Sequence, residues 1–172
     1  MRRCTLSSVN KPRLPKKGQQ HIKTLILICV LGLGLLPGLA AALEYRSIGV
    51  PKAVLYDTPS SKGKKLFVVS QGYPVEIIVN LGDWLKVRDH YGTLTWVEAK
   101  DVNPERTLIV TQVADLHQAP DINSKIVMRV DKDVLLQMLE PPSTGPAGKS
   151  WIKVQHRDGL TGFVPALSLW GY

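Results

Sequence analysis

Cysteine is nearly absent from this chain of 172 residues, and both copies, Cys4 and Cys29, fall within the first 42 positions. Beyond them no intramolecular disulfide, thiolate metal site or cysteine nucleophile can form. Packing alone must therefore hold together domains of about 60 residues. Acidic residues are missing from the start of the chain: Arg2, Arg3, Lys11, Arg13, Lys16, Lys17 and Lys23 all precede the first acid, Glu44. The formal charge of +8 is thus a property of the leading segment, since from Leu43 onward 15 basic residues face 14 acidic ones. A body so close to neutral lacks the footprint that strong binding to a phosphate backbone requires, which excludes a nucleic-acid partner. The length excludes a large catalytic architecture such as an eightfold strand–helix barrel. No window of eleven or more residues after the leader carries a helical apolar stripe.

What is present begins with a targeting signal. The basic stretch ends at Lys23, the run Leu25 to Leu36 is apolar, Pro37 and Gly38 interrupt it, and Ala40-Ala41-Ala42 supplies small residues for a signal peptidase. Cleavage is expected after Ala42, which makes residues 1–42 a signal peptide and the product periplasmic or secreted. The alternative is an uncleaved anchor, because residues 24–43 carry no charge over about the length that crosses a bilayer. Cys29 follows Ile26-Leu27-Ile28 and lacks the small preceding residue of a lipid-modified cysteine.

The remainder is a duplication. Leu55-Tyr56-Asp57-Thr58-Pro59 matches Leu116-His117-Gln118-Ala119-Pro120 at an offset of 61, and Leu66, Val69, Val75 and Ile77 meet Val127, Val130, Leu136 and Met138 at the same offset. Trp84-Leu85-Lys86-Val87 then matches Trp151-Ile152-Lys153-Val154 at an offset of 67, and Trp96-Val97 meets Phe163-Val164. The second copy therefore holds six extra residues, which fall in the Pro- and Gly-rich stretch 140–148 and are expected to form a loop. Each copy reads as short strands. In the first they are Leu66–Val69, Val75–Val79, Trp84–Val87 and Leu94–Val97, separated by turn residues such as Gly72, Gly82-Asp83 and Gly92. The expected class is all-β, with domains over 43–103 and 104–172.

Each copy resembles a bacterial SH3-like domain of the kind found in exported proteins. The pieces that carry the likeness are Ala53 to Pro59, Gly72-Tyr73-Pro74-Val75, Asp83 to Val87 and Gly92 to Val97, then Ala114 to Pro120, Ser150 to Val154 and Gly159 to Val164. It spans nearly all of 46–168, with Thr95 departing from the Gly162 of the second copy and Phe163 standing where Trp96 does. The resemblance implies two tandem small barrels and a shallow groove in which aromatics stack on proline or sugar rings. The groove candidates it implies are Tyr56, Asp57, Tyr73, Trp84 and Trp96 in the first copy. In the second they are His117, Trp151 and Phe163, with 140–148 as a wall. Trp84 and Trp151 serve equally as core residues in a small barrel; Trp84 is favoured for the core because it opens an apolar strand, and Tyr56 and Asp57 for the groove because their setting is polar and turn-forming.

Catalysis has little to stand on. Exported SH3-like domains often accompany a cysteine peptidase or amidase that cuts the cell wall, and here that nucleophile is impossible after residue 42. No Gly-x-Ser-x-Gly elbow occurs. His90, His117 and His156 have no metal-ligand spacing and are expected as solvated loop residues. Asp131 and Asp133 align with the Gln71-Gly72 turn and read as a solvated pair. The expectation is a monomeric, non-catalytic binding or scaffolding module without cofactor or metal. Its partner is expected to be cell-wall peptidoglycan or a periplasmic or envelope protein, with membrane contact only through an uncleaved leader. The competing expectation is a structural or regulatory subunit whose barrels pack on a partner protein.

Overall fold

The computed structural model describes residues 43–172; the expected targeting segment, its expected cleavage point and both cysteines lie outside them. The described chain is all-β with short 3-10 turns. The first sheet contains β1 (Glu44–Ile48), β2 (Lys52–Tyr56), β3 (Lys65–Ser70), β4 (Pro74–Asn80), β5 (Trp84–Arg88), β6 (Leu94–Glu98) and β7 (Val102–Asn103). The second contains β8 (Thr107–Val110), β9 (Ala114–His117), β10 (Ile126–Val130), β11 (Leu135–Met138), β12 (Ser143–Thr144), β13 (Ser150–Gln155), β14 (Thr161–Pro165) and β15 (Leu169–Trp170). The strand orders are β3-β2-β6-β5-β4-β1-β7 and β10-β9-β14-β13-β11-β8-β15, with β12 added beside β13. Apart from β12 the two orders superpose strand for strand, which is the duplication expressed as topology.

Alternation sets the faces. In β5, Leu85 and Val87 are buried while Trp84, Lys86 and Arg88 point outward, and in β6 Thr95 and Val97 are buried while Leu94, Trp96 and Glu98 point outward. The inward residues Ile48, Ala53, Leu55, Val75, Leu85, Val87 and Val97 form the first core. The second core is larger: Leu108, Val110, Leu116, Val130, Leu136, Ile152, Val154, Val164 and Leu169 lead it, with Ala114 and Ala166. The stretch 140–148 is more than a loop: β12 pairs Ser143 with Trp151 and Thr144 with Ser150, and a 3-10 turn follows at Pro146–Gly148.

The two barrels meet through their β1 and β8 sides. Thr107 donates its hydroxyl to the Gly72 carbonyl and takes part in a further hydroxyl pair with Ser47, whose Oγ also accepts the Thr107 N–H at 3.1 Å. Tyr45 meets Trp170 edge to face at 5.1 Å, and the Arg106 guanidinium sits 5.7 Å from the Tyr45 ring centre. Polar and aromatic contacts of this kind specify one docking geometry, since each group has few partners to choose from.

Candidate functional site

The outward face of the first barrel is built by register. Tyr56 on β2 stands opposite Lys65 on β3 and opposite Trp96 on β6, and Trp96 stands opposite Lys86 on β5. Directly opposed residues of antiparallel strands share a face, so Tyr56, Trp96 and Lys86 form one row across three strands, and Lys65 meets Tyr56 across a register shift at Leu55/Tyr56. Lys86 Nζ lies 5.8 Å from the Trp96 ring centre, within cation–π range. Trp84 meets Tyr56 edge to face at 5.4 Å and 84°. Asp57 is exposed, yet its Oδ1 accepts the backbone N–H of Lys64 at 2.8 Å and the Thr58 hydroxyl at 3.2 Å, so it pins the turn between β2 and β3.

The second barrel repeats the row as His117, Phe163 and Lys153, with Ile126 at the place of Lys65. His117 meets Trp151 edge to face at 5.4 Å and 83°, which reproduces the Tyr56–Trp84 geometry. The surroundings differ. Trp84 is half-buried, whereas Trp151 is 1% exposed beneath the segment around β12. Gly145 lies so close that a Cβ on it would overlap the Pro120 carbonyl and the Trp151 indole. The insertion also supplies Glu140, which takes Lys153 Nζ at 2.7 Å.

These placements correct several expectations. Tyr56 is buried at 7%, because Trp84 covers its ring, so it belongs to the floor of the face and not to an open groove. His117 and Trp151 are buried and present no groove. Trp84 stays outside the core cluster because alternation turns it away from Leu85 and Val87. Tyr73 joins neither group: it packs on the first core, and its hydroxyl lies 3.2 Å from His90 Nδ1 at the junction of the barrels. Burial pushes the Tyr73 phenol up to about 12, helped by the negative charges of Asp89 and Asp133 and by Tyr91.

The three histidines are not solvated. His117 and His156 are buried, and the His90 side chain is 5% exposed. His156 Nδ1 accepts the Asp158 N–H at 3.3 Å, and His90 Nε2 lies 3.5 Å from Asp133 Oδ1. Asp133 keeps a left-handed backbone, φ 66°, where the first copy has Gly72 at φ 79°; aspartate tolerates this region better than most side chains. The signal that would have found this junction was the alignment of Asp133 with a turn glycine. No group of three His, Cys, Asp or Glu that could hold a metal occurs among the described residues.

The family model of the bacterial SH3 domain matches the chain twice, over residues 49–104 and 111–171. The chain belongs to the bacterial SH3 domain family. A comparison with curated proteins finds no match. Among solved structures, NlpC2 from Trichomonas vaginalis aligns at 13% identity and TM-score 0.34, over 75% of this chain and 48% of that one. An NlpC/P60 family protein from Bacillus cereus ATCC 10987 aligns at 17% identity and TM-score 0.33, over 74% and 56% respectively. An NlpC/P60 endopeptidase from Photobacterium damselae subsp. piscicida aligns at 18% and 0.31, over 75% and 33%. This bacterial SH3 chain thus spans about half or less of the length of those proteins.

Proposed function

We propose that this bacterial SH3 pair is an exported, non-catalytic recognition module that binds cell-wall peptide or glycan through the outward face of its first barrel. The observation that carries the reading is the state of that face: Trp84 and Trp96 stand half-exposed over Tyr56, with Lys86 beside them. Half-exposed aromatics backed by a rigid sheet supply stacking area at little entropic cost. The inter-barrel contacts of Tyr45, Ser47, Gly72 and His90 leave this face uncovered. Signal-peptide features at 1–42 support export, and the absence of cysteine after residue 42 removes the thiol chemistry that cell-wall peptidases of the expected kind use. Co-sedimentation of the purified protein with isolated sacculi tests the proposal. Retention that falls on replacing Trp96 by Ala, at unchanged melting temperature, is the expected result; a protein left wholly in the supernatant would refute it.

A second reading, a subunit that packs on a partner protein, draws on β3. This edge strand exposes Leu66, Phe67 and Val68, and such edges accept an added strand. Crosslinking in whole periplasm that captures one protein through β3, with no sacculus retention, would favour it.

A further inference from the structure

The two barrels leave the same strand at the edge of the sheet and treat it differently. β3 is the terminal strand of its sheet and pairs with β2, and β10 holds the equivalent place beside β9. Both strands carry a register shift at the same point, so backbone geometry does not separate them. Side-chain chemistry does. In the second barrel Asp115 stands opposite Arg129, an ion pair at 2.9 Å that sets a charge in the middle of β10. In the first the same pair is Val54 with Val68, and Val68 is 64% exposed. A charge on an edge strand deters pairing with another chain, because the added strand would have to cover it. β10 has that guard; from Leu66 to Ser70 β3 has none. The charge near β3 lies instead at its entrance. Lys62, Lys64 and Lys65 are exposed there, and among the described residues none of them is in an ion pair. The second copy has Asn123, Lys125 and Ile126 at those places. Three cations face a single acid of the turn, Asp57, which the Lys64 N–H and the Thr58 hydroxyl already hold.

We infer that β3 adds an antiparallel strand of a partner protein, one whose apolar residues run along Leu66 to Val68 and whose acidic C-terminal end meets Lys62, Lys64 and Lys65. This rests on the reading of β3 as a protein-docking edge and supplies the chemistry of the partner. Main-chain hydrogen bonds to an open edge give affinity, and side chains beside them give specificity. Phe67 stands opposite Leu55 and Val68 opposite Val54, so the edge offers apolar surface on both faces of the sheet. Antiparallel pairing brings the C-terminal end of the added strand to the start of β3, where the lysines are. Exposed ion pairs add little affinity each; their effect is to fix direction and register. A second copy of this chain is a poor occupant, since β3 against β3 sets a lysine cluster at each end of the shared pair with no acid on either strand.

The test is an NMR titration of the purified protein with acetyl-Thr-Val-Thr-Val-Thr-Glu-Glu-amide, alongside crosslinking through β3 in whole periplasm. Expected are shifts and slowed amide exchange along β2 and β3, with none on β9 and β10. V68R, which sets the arginine of the second copy into the first, is expected to abolish binding. K64Q/K65Q is expected to lower affinity about fivefold, and a peptide with Gln for both Glu to lose as much. A peptide with proline at its third and fourth positions should not bind, because one of any two adjacent N–H groups faces β3 and proline has neither. Circular dichroism of each variant confirms that the fold is kept. Undiminished binding by V68R or by the Gln peptide, or shifts on β10, would overturn the inference, and so would a dimer through β3 in sedimentation equilibrium. A peptide that fails to bind, beside a β3 crosslink that V68R abolishes, would sink the acidic-strand assignment and leave the docking edge standing. No peptide shift together with no crosslink would remove both.

Discussion

The two barrels differ most at their paired tryptophans and at the charges beside them, while Trp96 and Phe163 remain equally half-exposed. Trp84 stands half-exposed where Trp151 is sealed; Lys86 is unpaired where Lys153 meets Glu140. Deeper in the sheet, Glu76 is 2% exposed and takes Arg88 Nε and Nη2 on its two oxygens at 2.8 Å each, where the second copy pairs Gln137 with Gln155. Tyr73 occupies the position of Val134. The shared trend is in charge, not closure: at these places the second copy is neutral, yet Gln137 is exposed where Glu76 is buried, and Phe163 is as open as Trp96.

The largest test of this contrast is a pair of tryptophan deletions. Replacing Trp151 by Ala removes a fully buried side chain from under a fitted cover, and should cost about 3–5 kcal/mol of unfolding free energy. Replacing Trp84 by Ala removes a half-exposed side chain, and should cost about 1–2 kcal/mol. Urea denaturation measures both. Equal losses would mean that the insertion adds nothing to the burial of Trp151.

The second test concerns the buried carboxylate. R88A leaves Glu76 without its partner in a site that water does not reach, and should cost about 2–3 kcal/mol, reduced from a fully buried pair because Arg88 is itself 44% exposed. The double variant E76Q/R88Q copies the second barrel's Gln137–Gln155 pair into the first. It should recover at least half of the loss, since removing both charges leaves no stranded carboxylate in the buried site. A double variant no better than R88A would show that the first barrel depends on the ion pair itself, and that the copies are not interchangeable at this position.

How much of this was legible beforehand depends on the residue. The four strands expected in the first copy recur within β3 to β6, because β-branched runs between turn residues leave the chain few alternatives. The row of Tyr56, Trp96 and Lys86 was only partly visible: Tyr56 and Trp96 were singled out, but Lys86 acquires its meaning from inter-strand register, which short strands do not encode locally. Trp84 and Trp151 occupy matching strand positions, and what separates them is an insertion whose Pro and Gly content signalled a loop while Ser143 and Thr144 still paired with β13. Tyr73 and the three histidines were misplaced for a related reason. Their surroundings are made by the meeting of barrels or by turns folding back, as where Asp133 approaches His90.

The smallest expected effect lies at Tyr73, where the copies differ by an ionisable group. Its phenol is raised to about 12 from the ordinary 10.0, first by burial and then by Asp89, Tyr91 and Asp133. A raised value means that the folded protein holds this proton more tightly than the unfolded chain does. The resulting stability is therefore fully present below pH 10 and is lost as pH rises through about 12. Because the side chain is only partly buried, solvent screening reduces the contribution to about 1–2 kcal/mol. Urea midpoints taken across this alkaline range should fall for the natural protein and fall less for Y73F, which keeps the ring and removes the proton. Lysine deprotonation acts on both proteins alike, so the difference between the two curves isolates the phenol. Y73F also removes the hydroxyl opposite His90 Nδ1, so its unfolding free energy near neutral pH should drop by about 1 kcal/mol for one hydrogen bond. The curves should then converge as the natural protein loses its own advantage. Parallel curves would place the Tyr73 hydroxyl in contact with water and its titration outside the folding equilibrium, leaving the first barrel as indifferent to alkali at this position as Val134 makes the second.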